Sequence, residues 1–297
     1  MKNRWIVNLV LLAIVVGIVA FLYTRPNSAS KQATKYEISQ YKLAEFKKIK
    51  VEFPARAPVT FEKVDDVWRM TAPYQVRADQ QSVQRILAII AATSAEKFPA
   101  SDPAKYGLDK PQLRLRLSGE ATAAEFIFGT YNPVTEDQYV AFKDGVYLLA
   151  GSYSEAARTQ PIEMVDKAPL SHGEMKQITG FDFSHLEQWQ ETRLNVDIGN
   201  GKWSTNIPAA KITQNDLNEW LDFGWKQTQA TAVELYTPNH KEAYPSFEVK
   251  LKDGKKVHFD KISEAPELLL ARPDEGLVYH FTNDVGFTML NPPLGLK

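Results

Sequence analysis

The chain has 297 residues, 44% of them hydrophobic and 24% charged, so it can bury one large core or two modest ones and is too apolar for extended disorder. Its 35 basic and 36 acidic residues leave a net charge of −1, which argues against nucleic acid as a partner because phosphate neutralisation needs a basic surplus. The absence of cysteine excludes disulfides, thiolate metal sites, a cysteine nucleophile and a lipoprotein acylation site.

A long apolar run near the N-terminus predicts a membrane anchor. The run extends from Trp5 to Tyr23 and is interrupted only by Asn8 and Gly17. At 1.5 Å per residue it spans roughly 28 Å, close to the ~30 Å hydrocarbon core of a bilayer. A cleaved signal peptide, with cleavage near Ser28-Ala29-Ser30, is the less favoured alternative because its apolar region is usually shorter.

The anchor divides the N-terminal part of the chain into three segments. We predict a cytoplasmic tail at 1–4, a transmembrane anchor at 5–24 and a polar tether at 25–40. The short tail offers almost nothing to translocate, and long domains cross a membrane largely regardless of charge. The sequence therefore predicts a single-pass protein of the bacterial inner membrane, with its N-terminus in the cytoplasm and its body in the periplasm.

The first predicted repeat, residues 41–150, opens with strands. Apolar and charged residues alternate with period two from Lys42 to Phe53, which indicates a strand. Two further strand patterns flank the turn residues Asp65-Asp66 and end at Pro73, which indicates a hairpin.

A helix and four more strands complete this repeat. Asp79 fits an N-cap, and apolar residues recur at helical spacing after it, so we predict a helix from Asp79 to Ala95. Tight turns between the later strand patterns favour an antiparallel sheet. These four strand patterns begin near Leu113, Phe126, Tyr139 and Val146.

The same order of elements returns in residues 183–297. Trp203 and Pro208 repeat the spacing of Trp68 and Pro73, and the hairpin signal Asn200-Gly201 precedes them. Thr213 with Asp216 fits a capping box at the start of a helix predicted to reach Trp225. The offset that places Thr213 on Asp79 superimposes both the helix and the following strand of the two repeats.

We therefore predict an α+β fold. It consists of an N-terminal transmembrane helix and two tandem repeats, 41–150 and 183–297, joined by a connection at 151–182. Each repeat is expected to be a mainly antiparallel β-sheet with one packed helix.

Several segments resemble one known family. They are Trp68 to Pro73, the capped helix, Tyr106-Gly107-Leu108-Asp109-Lys110-Pro111 and Val165-Asp166-Lys167. Over about residues 40–230 they resemble the family catalogued as domain of unknown function 4340. The resemblance implies anchoring by one N-terminal helix and, for some members, genes beside ABC-transporter permease and auxiliary subunits. It implies no catalytic residues.

The aromatic residues of the second repeat are candidates for a binding surface. Trp203 and Trp220 coincide with core positions of the first repeat, so burial explains them. Trp225 aligns with Ala91 at the edge of the helix stripe, and Trp189 has no obvious counterpart. Exposed tryptophan stacks on sugars and anchors protein interfaces. We therefore predict Trp189 and Trp225 as the candidate interaction surface.

No catalytic motif is visible, and we predict neither an enzyme nor a cofactor or metal site. His258 and His280 lie in strand patterns and, with Asp260, could form a metal-dependent hydrolase site if they faced one another. Two solvent-facing strand histidines are the favoured interpretation. Gly199-Asn200-Gly201 lacks the helix that a phosphate loop needs and indicates a hairpin turn instead.

Three functions are compatible with these features. The favoured one is a non-catalytic, membrane-anchored periplasmic scaffold or accessory subunit of an envelope complex, with ABC-transporter subunits among the candidate partners. The first alternative is a glycan- or polymer-binding module that uses Trp189 and Trp225. The second and least favoured is the metal-dependent hydrolase.

Overall fold

The computed structural model describes residues 9, 12–21, 35–239 and 243–296. Residues 12–21 are helical. Within the described residues no helix is both long and apolar enough to cross a membrane. The predicted tail at 1–4, about half of the anchor at 5–24 and most of the tether at 25–40 lie outside the described residues, so the anchor stays a prediction.

Residues 35–150, which we call the first half, contain eleven strands and one α-helix. Their bounds are β1 (Tyr36–Glu37), β2 (Lys48–Glu52), β3 (Val59–Val64), β4 (Val67–Ala72), β5 (Val76–Arg77), α1 (Gln80–Leu87), β6 (Thr93–Ser94), β7 (Lys97–Pro99), β8 (Leu113–Ser118), β9 (Ala123–Tyr131), β10 (Gln138–Phe142) and β11 (Gly145–Leu149). Short 3₁₀ turns lie at Leu43–Glu45, Ala88–Ala91 and Pro103–Tyr106.

The connection and the second half follow. Their elements are α2 (Ser152–Arg158), α3 (His172–Met175), β12 (Ile178–His185), β13 (Asn195–Gly199), β14 (Lys202–Thr205), α4 (Gln214–Leu221), β15 (Ala232–Leu235), β16 (Ser246–Leu251), β17 (Lys256–Ser263), β18 (Glu267–Arg272), β19 (Leu277–Thr282) and α5 (Asn283–Leu290). Two 3₁₀ turns, Pro161–Met164 and Glu187–Trp189, and a π turn, Asp222–Lys226, lie between them.

The strands form two large antiparallel sheets whose strand orders correspond. The first sheet runs β5-β4-β3-β2-β8-β9-β10-β11-β7, and the second runs β14-β13-β12-β16-β17-β18-β19-β15. Leaving β5 aside, each strand of one sheet has a counterpart at the same place in the other. In both halves a strand after the helix, β7 or β15, lies at the far edge of the large sheet. The fold is therefore mixed α+β with mainly antiparallel sheets.

The structure corrects two predicted boundaries. The strand β12 starts at Ile178, inside the segment 151–182 that was predicted to be a connection. The helix α1 ends at Leu87 and continues only as the 3₁₀ turn to Ala91, so the prediction of a helix to Ala95 is too long. Thr93 and Ser94 instead form β6, which pairs with β1.

The core lies between each sheet and its helix. In β8 the alternating Leu113, Leu115 and Leu117 are buried, and Val83 and Ile86 of α1 are buried as well. These residues belong to one apolar cluster that continues into the second half. The burial of one face of each element follows from the pattern of the sequence, because strands with period two and helices with a single stripe each offer one apolar face.

A second, smaller cluster covers the other face of the first sheet. Tyr106, Leu108 and Val146 are its buried members. Gly107 between them has φ +67°, and a Cβ atom there would lie 2.5 Å from the Thr130 side chain, so the position needs glycine. The Tyr-Gly-Leu segment is therefore a structural part of the first half.

Candidate functional site

The two tryptophans predicted to form an exposed surface do not form one. Trp225 is fully buried, so the prediction that it is exposed is wrong. Trp189 is half-buried and packs against the main core. Both indole N–H groups are engaged inside the protein: Trp189 Nε1 donates to the Leu290 carbonyl at 3.0 Å, and Trp225 Nε1 donates to the Met289 carbonyl at 3.2 Å.

A third tryptophan completes this arrangement. Trp220 Nε1 donates to the Thr288 carbonyl at 2.7 Å. Three indoles thus bind three consecutive carbonyls, those of Thr288, Met289 and Leu290, in the last turn of α5. The last four carbonyls of a helix have no partner within the helix, so these tryptophans supply hydrogen bonds that the helix itself cannot, two of them to the buried residues Met289 and Leu290.

The winding of the helix explains why Trp225 is buried although the sequence predicted it to be exposed. In the second half, α4 continues as a π turn in which the Gln227 amide donates to the Asp222 carbonyl, five residues back, at 3.0 Å. In the first half the corresponding chain winds as a 3₁₀ turn, with Ala92 donating to Ile89 three residues back. Aligned positions therefore point in different directions, and Trp225 turns into the core.

Two phenylalanines of the second half are exposed, whereas the two predicted tryptophans are not. The side chain of Phe223 is 65% exposed and that of Phe287 is 64% exposed. They flank the contact between the π turn and α5, where a Cβ at Gly224 would lie 3.5 Å from Thr288. Large apolar side chains with this exposure on neighbouring elements are typical of a protein interaction site.

Two acidic residues lie close to this pair in the chain. Asp222 precedes Phe223, and Asp284 lies in the first turn of α5. Hydrogen bonding from the Thr282 hydroxyl lowers the pKa of Asp284, so this carboxylate is ionised at neutral pH. Lys226 neutralises Asp222 in part, at 2.7 Å. We name the site, made of Phe223, Phe287, Asp222 and Asp284, the Phe223–Phe287 surface.

The histidine candidates are not brought together. His258 lies on β17 and His280 on β19, and β18 separates these two strands. His258 Nε2 contacts Asp260 Oδ1 at 2.9 Å, whereas His280 lies between Glu267 and Glu234 at 3.3 and 3.5 Å. In the ranges that the structure describes, no group of three or more side chains could hold a metal ion. His258 and His280 therefore do not share a site.

The two halves meet at a buried group of charges centred on Arg77. Its guanidinium donates to Glu275 Oε1 at 2.7 Å, to the Tyr279 hydroxyl at 2.9 Å and to the carboxylate of Asp166. Glu275 and Tyr279 belong to the second half, and Asp166 belongs to the connection.

Burial and neighbouring charges shift the pKa values of Arg77 and Asp166. Burial alone lowers the pKa of Arg77, but the hydrogen bond to Glu275 and the charges of the groups around the guanidinium together outweigh it and raise the pKa. Burial also raises the pKa of Asp166, and the charge of Arg77 offsets this only in part. Glu275 and Asp166 are the carboxylate partners that balance the charge of Arg77.

Arg272 forms a second buried group beside the first. Its side chain is 2% exposed and donates to both carboxylate oxygens of Glu174, at 3.0 and 3.1 Å. It also donates to the Pro169 carbonyl at 3.1 Å. Burial raises the pKa of Glu174, but the hydrogen bonds and charge of Arg272 outweigh it, so the pKa is lowered overall.

The segment Val165-Asp166-Lys167 joins the two halves at this point. Val165 forms a β-bridge with Ala78 of the first half, and the Asp166 amide donates to the Arg77 carbonyl at 3.0 Å. On the other side, the Lys167 carbonyl accepts from Ala230 of the second half at 2.9 Å.

Comparison with known proteins gives one match. The model of the family described as Domain of unknown function (DUF4340) matches residues 68–246, more than half of the chain. The chain belongs to the DUF4340 family. No curated protein and no solved structure matches it.

The match confirms the resemblance predicted from the sequence. Its range is 68–246, whereas the predicted range was about 40–230. The range matched to DUF4340 contains Arg77, Asp166 and the Tyr106 to Pro111 segment, but it stops before Glu275 and Phe287. The matched range thus contains Arg77 and Asp166, and two further partners of Arg77, Glu275 and Tyr279, lie beyond it.

Sequence reasoning missed a pair of glutamines that hold the tryptophan strands. Gln80 Oε1 accepts from the Trp68 amide and Gln80 Nε2 donates to the Trp68 carbonyl, both at 2.9 Å. Gln214 makes the same two hydrogen bonds to Trp203, at 2.7 and 3.0 Å. The signal was available, because the offset that superimposes the two helices also places Gln214 on Gln80.

Proposed function

We propose that this protein is a non-catalytic, membrane-tethered accessory subunit of a bacterial envelope complex, and that it binds a partner protein through the Phe223–Phe287 surface. The exposed phenylalanines of this surface are the observation that supports the proposal. In a protein of this length, most large apolar side chains are buried, and exposed ones on adjoining elements favour a partner.

The rest of the molecule suits a scaffold. We propose that the two sheets are tandem copies of one unit, since their strand orders correspond. Arg77 joins the first copy to the second through a buried ion pair with Glu275, and Arg272 joins the second copy to the connection through Glu174. A body of two joined sheets presents the Phe223–Phe287 surface from a fixed position, which lowers the entropic cost of binding.

The proposed location rests on the apolar run. Residues 5–24 form the anchor and residues 25–40 the tether in this proposal, with the body in the periplasm. We expect the protein to stay with the membrane fraction after alkaline carbonate extraction. A variant that lacks residues 1–34 is expected to leave it. Extraction of the full chain by carbonate would contradict the anchor.

ABC-transporter subunits are the partners to test first, because the resemblance to DUF4340 implies that some members are encoded beside them. Trp189 and Trp225 no longer support glycan binding, because their indoles are used inside the protein. The acidic rim of Asp222 and Asp284 favours a partner surface that combines apolar and basic side chains.

Photo-crosslinking in intact cells tests this function. Phe223 and Phe287 are each replaced by p-benzoylphenylalanine, and Lys255, an exposed turn residue of the same half, is the control position. We expect the same envelope protein to be captured from positions 223 and 287 and not from position 255. Capture of no protein from the two phenylalanine positions, or equal capture from position 255, would contradict the proposal.

A double variant separates binding from folding. Phe223→Ser with Phe287→Ser removes the apolar part of the surface, and both side chains are largely exposed. We expect loss of the co-purified partner with a change in melting temperature of no more than about 2 °C.

A further inference from the structure

A shallow groove crosses the first half, where β2 ends beside the start of β8. Glu52 is paired with Arg114 in the register of these two strands, and Phe53 and Pro54 follow Glu52 directly. Two adjoining depressions of about 510 and 560 Å³ share Phe53 and Pro54 as lining residues. Together they form one groove that is open to solvent, which suits an extended chain better than a small molecule, because small molecules bind mainly in sites that enclose them.

The two ends of the groove differ in character: one is mainly apolar and the other is cationic. Phe53, Pro54, Pro111 and Leu113 make the apolar part. The other end is formed by Arg56 and Arg158, which come from the loop after β2 and from the end of α2. Lys110, the last basic residue of the family segment that begins at Tyr106, lies at the apolar end. We name this site the Arg56–Arg158 groove.

The groove carries positive charge that the protein does not neutralise. Across residues 35–239 and 243–296, Arg56, Arg158 and Lys110 form no ion pair with a carboxylate. Glu52 also lines the groove, but Lys50 and Arg116 already bind its carboxylate at 2.6 and 2.7 Å. Hydrogen bonding from Lys50 lowers the pKa of Glu52 accordingly. A ligand in the groove therefore meets a surplus of cationic side chains.

The two arginines are held in place without an acidic partner. The guanidinium carbon of Arg56 lies 3.5 Å from the centre of the Phe53 ring, and its Nη2 donates to the Arg158 carbonyl at 3.2 Å. Arg158 in turn donates to Gln112 Oε1. Burial and the charge of Arg158 both lower the pKa of Arg56, as expected for two cations close together. An anion between them would relieve this repulsion.

We propose that the Arg56–Arg158 groove binds an extended acidic peptide segment of a partner protein. A carboxylate of the segment binds Arg56 and Arg158, and its proline or aliphatic side chains pack on Phe53, Pro54 and Pro111. Arginine favours carboxylates because its planar group can donate two parallel hydrogen bonds. This site lies on the first half and is independent of the Phe223–Phe287 surface, so failure of one does not affect the other.

Fluorescence anisotropy with the full-length protein in detergent micelles tests the proposal. The probe is a fluorescein-labelled peptide, Pro-Leu-Pro-Glu-Glu-Leu-Pro, and its counterpart carries two glutamines in place of the two glutamates. We expect saturable binding of the acidic peptide, and binding of the counterpart at least about tenfold weaker because it lacks the charge-assisted hydrogen bonds. Equal binding of the two peptides would overturn the proposal.

Variants locate the binding site. Arg56→Gln and Arg158→Gln are each expected to weaken binding of the acidic peptide about tenfold. Arg69→Gln is the matched control, since Arg69 is an exposed arginine of the same sheet that lies outside the groove. Lys110→Gln serves as a second variant because it leaves the Arg158–Gln112 contact intact. An equal loss with Arg69→Gln would mean that only net charge attracts the peptide.

Inorganic phosphate separates a peptide site from a site for any anion. At constant ionic strength, phosphate at ten times the peptide concentration is expected to leave the peptide bound, since it cannot use the apolar floor. Displacement by phosphate at that ratio would assign the groove to a small anion and overturn the proposed occupant. Arg56→Lys keeps the charge and loses the planar group, so we expect it to restore only part of the affinity.

Discussion

Gln80 and Gln214 each act as a substitute for a missing strand. The strand β14 lies at the edge of its sheet, and the short β5 pairs with β4 only at Arg69 and Met70, so it leaves Trp68 uncovered. One primary amide offers both a donor and an acceptor, as a neighbouring strand would. Gln80 thereby closes an edge that would otherwise expose unpaired backbone groups.

We expect Gln80→Ala to lower the free energy of unfolding by about 1–3 kcal/mol, because it leaves the Trp68 amide and carbonyl without partners in a half-buried position. Urea denaturation followed by circular dichroism measures this change. Gln81→Ala is the matched control, since Gln81 is the exposed neighbour on the same helix, and it should change stability by less than about 0.5 kcal/mol. Similar losses in the two variants would contradict this role of Gln80.

Glu174 makes stability depend on pH. Its pKa is lowered from 4.5 in the folded protein, so the folded state binds fewer protons than the unfolded state near that pH. The stabilisation is therefore complete above the unfolded value and is lost as the pH falls through the folded value. Glu174→Gln is expected to lower the melting temperature at pH 7 and to flatten its decline between roughly pH 5 and pH 3.

Differential scanning calorimetry across this pH range provides the measurement. Glu155→Gln, which changes an exposed carboxylate on α2, is the control and should keep the slope of the parent protein. A slope unchanged by Glu174→Gln would show that the Arg272–Glu174 contact does not contribute to acid sensitivity.

At the scale of elements, α5 depends on three tryptophans for its C-terminus. The helix contains Asn, Asp and Gly in its first turn, which are weak helix formers, so local propensity contributes little. Gly286 packs where a Cβ would lie 2.5 Å from Leu268, and the indoles of Trp220 and Trp225 bind the final carbonyls. Tertiary contacts therefore hold this helix in place.

We expect Trp225→Phe to destabilise the protein by about 2–4 kcal/mol, because it opens a cavity and leaves the buried Met289 carbonyl unpaired. Trp203→Phe is the matched control: its Nε1 binds Asn218, an exposed side chain that can turn to water instead. Trp203→Phe should lower the free energy of unfolding by at least about 1 kcal/mol less than Trp225→Phe does. Chemical denaturation monitored by circular dichroism compares the two, and equal losses would contradict the capping role.

The sequence predicted the elements whose signals are local. Asp79 and Thr213 cap their helices as expected, with side chains that accept from backbone amides at 3.1–3.2 Å. The turn at Asn200-Gly201 joins β13 to β14, with positive φ at both residues. The helix α5 and the π turn carried no such signal, because contacts with distant residues stabilise them. The exposure of Phe287 could not be predicted for the same reason.

At the scale of the whole molecule, the junction makes the two halves depend on each other. Arg77 and Glu275 are 198 residues apart in the chain, and no periodicity or spacing could have paired them. The sequence did show Asp166 within a family segment, but not that this segment bridges both halves. Charges buried as a group are costly to break singly, since each one left behind has lost both its solvent and its partner.

We expect Arg77→Met to destabilise both halves together, by about 3–5 kcal/mol, although Arg77 lies in the first half. Hydrogen exchange read by mass spectrometry should show faster exchange in β16–β18 as well as in β2–β4. The control is Lys47→Gln, which removes an exposed ion pair with Glu120 and is expected to have almost no effect. Faster exchange confined to the first half would contradict the coupling.

The indoles that bind α5 also give the protein a built-in optical reporter. Trp189, Trp220 and Trp225 each donate to a carbonyl of the helix that carries Phe287. A partner that docks on Phe287 presses on the same helix, so a small shift of its last turn alters the surroundings of three emitters at once. Native tryptophan emission can therefore follow docking at the Phe223–Phe287 surface without any added label, and a partner without tryptophan would add no emission of its own.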